Sequence, residues 1–69
     1  MKQGQVYILE CADNSLYTGV TSNLEYRLYQ HHEGYFQGYT HRRRPLKSLW
    51  NTNLMDIQDA IMLERQIKN

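Results

Sequence analysis

The stretch SLYTGVTSNLEYRLYQHH, Ser15–His32, opens as a strand and closes as a helix. Leu16 to Thr21 is rich in β-branched and aromatic side chains, as strands are. Ser22 followed three residues later by Glu25 is a capping-box pattern, which predicts a helix to about Glu33, stopped by Gly34. On that helix Leu24 and Leu28 form the apolar stripe, with Arg27 and His31 flanking it one turn apart. Tyr17 precedes them on the strand. An arginine, a histidine and a tyrosine therefore share one short strand-to-helix unit at the rim of the core.

Upstream, QVYILEC (Gln5 to Cys11) reads as a strand and ADN as a turn, with Asn14 suited to positive φ. Pairing Cys11 with Ser15 sets Tyr7 opposite Gly19 and Leu9 opposite Tyr17, so both tyrosines project from one face. Gly19 leaves an empty space beside Tyr7. Downstream, GYFQGYTH (Gly34 to His41) reads as a glycine- and aromatic-rich loop. Leu46 to Asn51, after Pro45, reads as a third strand. A last helix starts near Asp56, with Asp56 and Asp59 in its first turn, where the helix dipole favours them. Ile57, Ala60, Ile61, Leu63 and Ile67 form its apolar stripe, and Glu64 falls in the middle of that face. A carboxylate there needs a cation, either an arginine or a metal. The apolar pattern runs to the end without a C-terminal cap.

The expected architecture is α/β: a β-hairpin plus a third strand, a three-stranded sheet flanked by helices, as one domain over residues 1–69. At 69 residues folding buries only about 60% of the unfolded chain's surface, so each core residue matters. Cys11 is the single cysteine, which excludes an internal disulfide and suits a small buried apolar group. No apolar run approaches the roughly 20 residues that cross a bilayer, so no membrane partner is expected and a soluble, cytoplasmic protein is. The net charge is only +1, yet Arg42, Arg43, Arg44 and Lys47 lie in a stretch from Glu33 to Asp56 that holds no acid between its ends. Either a solvated face or a phosphate-facing patch accounts for that run. Cysteine and the histidines show no zinc-ligand spacing.

Taken in order, VYI (Val6–Ile8), YTG (Tyr17–Gly19), Arg27 and His31 in RLYQHH, the YT of Tyr39–Thr40, RRP and a following lysine, and Glu64 in LERQIK resemble the GIY-YIG nucleases. The resemblance covers nearly the whole chain and is nearest to the small stand-alone members. It implies a divalent-metal-dependent endonuclease that hydrolyses DNA phosphodiester bonds with low sequence specificity, in repair or recombination. It implies Tyr7, Tyr17, Arg27, His31 and Glu64 as catalytic residues, Glu64 as the ligand of Mg²⁺ or Mn²⁺, and duplex or branched DNA as partner. Arg27 would hold a phosphate oxygen, and Tyr7 would take a proton from the attacking water. His31 would relay that proton or bind phosphate. Thr40, His41, Arg42, Arg43, Arg44 and Lys47 are the expected DNA contacts, with Tyr35, Phe36 and Tyr39 interleaved for stacking on bases.

Structural alternatives stand beside each role: half-buried strand tyrosines, an Arg27–Glu64 salt bridge, a helix-surface His31, and a loop that staples a small core. The alternative function is a non-catalytic module of the same fold that binds nucleic acid or protein. The family's polar residue beyond the acidic helix has no counterpart here, so a domain without the C-terminal helical extension is expected.

Overall fold

Residues 2–69 are described by the structure, a computed structural model, and Met1 lies outside the described residues. The chain runs β1 (Gln3–Glu10), β2 (Leu16–Thr21), α1 (Leu24–Glu33), a single 3-10 turn (His41–Arg43), β3 (Lys47–Asn51), β4 (Met55–Asp56) and α2 (Ile57–Lys68). β1 and β2 form the expected hairpin, with Tyr7 opposite Gly19 and Leu9 opposite Tyr17. Its turn closes when Cys11 N–H donates to the Ser15 carbonyl at 2.8 Å. Asn14 takes φ +69°, a left-handed value that asparagine tolerates better than most residues.

The order β2-β1-β3 leaves β1 in the centre, antiparallel to both neighbours. The β1–β3 register shifts between Ile8 and Leu9, and every residue of β3 is exposed. β4 is an addition to the expected three strands: Met55 and Asp56 pair with Gly4 and Gln3. A two-residue strand has no period for a sequence to display. The third strand begins at Lys47 rather than Leu46, because Leu46 is drawn into the core.

Alternation along β1 assigns the two helices to opposite faces. Tyr7, Leu9 and Cys11 form the core of one face with Leu46, and Leu24 and Leu28 of α1 pack against them. Burying a leucine such as Leu9 stabilises by about 2 kcal/mol. On the other face α2 lies so close that a Cβ on Gly4 would collide with the Ile57 side chain. Val6 and Ala60 are completely buried there.

The caps correct one expectation. α1 is capped by Asn23, whose side chain accepts from Tyr26 N–H at 3.1 Å, and Ser22 plays no part in a capping box. Thr21 Oγ1 accepts from Asn23 N–H at 3.0 Å, which makes the turn one residue later. Tyr26 then occupies the position where a box would need glutamate. Gly34 ends α1 as expected, at φ +77°, its N–H donating to the carbonyls of Gln30 and His31. Asp56 caps α2 by accepting from Gln58 N–H at 2.9 Å. Among the described residues no helix is long and apolar enough to cross a membrane.

Candidate active site

Tyr7 rises from the centre of β1 into a space that only glycine leaves open. A Cβ at Gly19, directly across the ladder, would lie 2.5 Å from the Tyr7 hydroxyl oxygen and 2.6 Å from Cζ. The phenol is fully buried, and its oxygen lies 2.8 Å from His31 Nε2. The other imidazole nitrogen, Nδ1, lies 3.0 Å from Thr40 Oγ1. His31 is 3% exposed and Thr40 2%, so Tyr7, His31 and Thr40 form a dry column from strand to loop. Expected at the rim of α1, His31 turns inward because the loop after Gly34 folds over it: Phe36 packs with its ring centroid 4.9 Å away.

Burial sets the protonation of this column. It pushes the Tyr7 phenol up to about 12, Tyr17 adding to the rise, while Arg27 pulls the other way. It pushes His31 down to about 4, with Arg27 and His32 adding to the fall. In the free protein both groups are therefore neutral at pH 7. With the phenol near 12 and the imidazole near 4, transfer of the proton from Tyr7 to His31 is steeply uphill. His31 serves the resting site as a hydrogen-bonding group, not as a charge.

Tyr17 and Arg27 form a wetter layer around the column, while Glu64 stands on α2 and is linked to this side through Lys68, whose ammonium approaches the Tyr17 ring. The Tyr17 ring stands edge-on to His31 with centroids 5.3 Å apart, and 6.3 Å from Tyr7. Arg27 is half-buried, its Cζ 5.0 Å above the Phe36 ring. Among the described residues the ion pairs are Asp13–Arg43 and Glu64–Lys68, so Arg27 has no carboxylate partner within 4.0 Å. The expected alternative of an Arg27–Glu64 salt bridge is absent. Glu64 belongs to α2, on the opposite face of the sheet from α1, and Lys68 one turn on reaches it at 2.9 Å. The Glu64 side chain is 19% exposed, so it is neither sealed in the core nor free. The Lys68 ammonium in turn lies 5.8 Å from the Tyr17 ring centroid, which brings the α2 end to the outer strand β2. A groove of about 470 Å³ opens there, lined in part by Tyr17, Tyr39, Ile67 and Lys68.

The basic loop divides into held and free residues. Arg43 Nε donates to Asp13 at 3.0 Å, its Nη1 donates to the Tyr39 carbonyl at 2.8 Å, and its Cζ sits 3.8 Å over the Tyr39 ring. Arg44 Nε donates to the His41 carbonyl at 3.0 Å, and its guanidinium lies against Gly34. His41 Nδ1 lies 3.0 Å from the Gly34 carbonyl. Tyr39 stacks on Tyr17 at 6.2 Å. Arg42 and Lys47 are exposed, and neither side chain makes a hydrogen bond or ion pair among the described residues. Thr40, expected at the DNA surface, is instead enclosed beside His31.

Over residues 3–69 the sequence matches the family described as the GIY-YIG catalytic domain. The chain belongs to the GIY-YIG family. It is similar to a UPF0213 protein of Oceanobacillus iheyensis, 43% identical over 97% of this chain and 78% of the relative. A UPF0213 protein of Syntrophus aciditrophicus is 44% identical over 99% of this chain and 79% of its own length. The fold resembles the solution NMR structure of a UPF0213 protein from Bacillus halodurans, with a TM-score of 0.58 and 33% identity. That likeness covers 96% of this chain and 70% of the other.

As a GIY-YIG domain the chain is an α/β member of a nuclease family. One neighbour at the site, Lys68, was not among the expected residues, although Glu64 and Lys68 stand at the i,i+4 spacing that favours a helical pair. Thr40 was expected at the DNA surface, and its approach to His31 carries no sequence signal because it depends on how an irregular loop returns. A GIY-YIG metal would find one carboxylate here, with no group of three or more His, Cys, Asp or Glu side chains among the described residues. That donor set does not make a closed protein cage. It fits a hydrated hard cation such as Mg²⁺, which keeps most of its waters and takes one or two carboxylates.

Proposed function

We propose that this GIY-YIG domain is a divalent-metal-dependent endonuclease that hydrolyses DNA phosphodiester bonds with little sequence preference. The observation that carries this reading is Arg27: a half-buried guanidinium with no carboxylate partner, beside two tyrosines and a neutral histidine. An unpaired cation in such a place is a receptor waiting for an anion. Its planar fork of donors suits two phosphate oxygens better than an ammonium would.

In this reading Glu64 would hold Mg²⁺ or Mn²⁺ in place of its pairing with Lys68. The cation supplies charge neutralisation at the phosphate and a bound water of lowered pKa. Arg27 binds a non-bridging oxygen and stabilises the charge that grows there. Tyr7 is neutral at rest, so it takes the proton from the attacking water only after its own proton has left to solvent, with His31 bonded to its oxygen and Arg27 nearby to favour the ionised phenol against its burial. Tyr17 orients the water or the phosphate from the edge of the cleft. Arg42 and Lys47, free of internal partners, add phosphate contacts, while His41, Arg43 and Arg44 shape the loop from which these act. Contacts of this kind position the backbone and carry no base sequence, hence the low specificity.

The second reading is a non-catalytic module that binds nucleic acid, and the Glu64–Lys68 pair favours it because the one carboxylate is already engaged. A plasmid assay separates the two. With Mg²⁺ or Mn²⁺ the wild-type chain should nick supercoiled DNA. Glu64→Ala should lose roughly a thousandfold or more of that rate, the several kcal/mol that a catalytic cation supplies. Its melting temperature should move little, because an i,i+4 helical pair contributes only about 0.3–0.5 kcal/mol. Equal DNA binding by both proteins with cleavage by neither would hand the case to the binding module.

A further inference from the structure

Arg27 carries its charge without a carboxylate partner among the described residues, so something else has to hold it. Its Cζ lies 5.0 Å over the Phe36 ring. The guanidinium also acts on the Tyr7 hydroxyl, where its charge and its donors pull the phenol pKa down against burial. The two contacts differ in what they occupy. A hydrogen bond to the phenol takes an N–H. A contact with the ring face commits no donor to an acceptor, because the cation is drawn to the electron-rich face itself. A carboxylate would fill part of the donor fork and cancel the charge. Phe36 does neither, so the fork stays open to phosphate.

The end of α1 delivers Phe36 to that place. Gly34 at φ +77° reverses the backbone, and Tyr35 N–H donates to the Gln30 carbonyl at 3.0 Å, the closure of a Schellman motif. The Gly34 carbonyl lies 3.0 Å from His41 Nδ1, which pins the reversal to the 3-10 turn. Residue 36 therefore returns over the helix it has just left, where Arg27 and His31 stand one turn apart. Its ring packs on both, 5.0 Å from Arg27 Cζ and 4.9 Å from the His31 ring centroid. Half-buried in that corner, Phe36 has an occupation within the chain other than stacking on bases.

We propose that Phe36 is a positioning residue for Arg27: its ring holds the guanidinium at the cleft by a cation–π contact and leaves the donor fork free for phosphate. Left to solvent, a guanidinium on a long stem samples many rotamers, and that freedom is lost when an anion is bound. Held over the ring, it has lost the freedom already, and the phosphate meets a charge in place. The same ring covers the His31 imidazole, so one loop residue keeps a charged group and a neutral one side by side on α1.

The functional meaning rests on the reading of Arg27 as phosphate receptor, but its positioning can be read without DNA or metal. ¹⁵N NMR of the wild-type chain should show the Arg27 Nε–H ordered like the backbone of α1. Phe36→Leu keeps an apolar side chain and removes the ring. The Arg27 Nε–H exchange rate should then rise about tenfold, the factor that a desolvated cation–π contact is worth. Phe36→Tyr keeps the ring and should hold exchange near the wild-type rate. Replacing Phe36 by pentafluorophenylalanine keeps the shape but withdraws charge from the ring face, so it should loosen Arg27 as leucine does. A fluorinated ring that leaves Arg27 ordered would reduce the contact to packing and overturn the proposal. A wild-type Arg27 side chain that is already mobile would overturn it too. In the nicking assay Phe36→Leu should lower kcat/KM about tenfold, with Phe36→Tyr restoring it. An Arg27 ordered by the ring in a chain that never cuts would overturn the nuclease reading while leaving the role of Phe36 standing.

Discussion

The inner column of Tyr7, His31 and Thr40 and the outer layer of Arg27 and Tyr17 lie side by side, yet different physics holds them. The column is dry, neutral and joined by short hydrogen bonds, so its geometry is a matter of packing. The outer layer is partly wet and charged, and the Glu64–Lys68 pair of α2 reaches its edge at Tyr17 from the other face of the sheet. Structure and chemistry therefore separate by depth. A change in the column should show first as lost stability or a misplaced phenol. One in the outer layer should show as lost binding or rate in a protein that still folds.

Arg27→Ala is the sharpest way to break that contrast. Arg27 has no ion pair to lose, only its stacking over Phe36 and its interaction with the Tyr7 hydroxyl, so unfolding free energy should fall by about 1 kcal/mol. The nicking rate should fall roughly a hundredfold or more, as expected when a donor to a developing negative charge is removed. Arg27→Lys should recover only part of it, since an ammonium cannot grip two oxygens in a fixed fork. A variant that unfolded with the loss of Arg27 would mean the guanidinium is a structural prop, and the division by depth would fail.

Gly19→Ala attacks the column instead. The added methyl carbon would meet the Tyr7 hydroxyl at 2.5 Å, a contact that has to be relieved by moving the ring. Overpacking of this kind costs about 1–3 kcal/mol, measurable as a lower urea midpoint. Moving the ring also stretches its bond to His31, so rate and stability should fall together. Loss of rate alone, at full stability, would place the phenol in the outer layer after all.

The same division explains what could be read in advance. Alternation with a three-residue turn determines which strand residues face each other, so the Tyr7–Gly19 register and the empty space above the glycine followed from letters alone. Helical spacing placed Arg27 and His31 side by side for the same reason. Contacts that depend on the path of the loop carry no such signal: Phe36 over His31, Thr40 behind it, Tyr39 on Tyr17. Glu64 shows a third case. Its place on the apolar stripe is correct on the wheel, but a helix end near the sheet edge leaves that face half open to water. The charge is then met by the nearest lysine and not by an arginine across the core. Ser22 and Asn23 are both good cap residues, and only the bond from Asn23 N–H to Thr21 Oγ1 chooses between them.

Acid sharpens the comparison without any substitution. His31 titrates near 4 in the folded protein, through its burial and the charges of Arg27 and His32, whereas an unfolded histidine titrates near 6.5. Between those values the unfolded chain binds a proton that the native chain refuses, so stability must fall as pH drops from about 6.5 to 4 and rise in the other direction. The loss should be on the order of 3 kcal/mol, concentrated on a column where Tyr7 and Thr40 are the neighbours of the ring. Asp13, whose carboxyl is held below its usual range by Ser15 and Arg43, acts in a lower window: its contribution disappears only as pH falls below the ordinary aspartate value. Urea titrations at pH 7, 6, 5 and 4.5 therefore isolate His31. In His31→Gln, which keeps a polar group but has nothing to protonate, the slope over that range should flatten. An equal slope in both proteins would show that water reaches the imidazole, and the column would then be no drier than the layer around it.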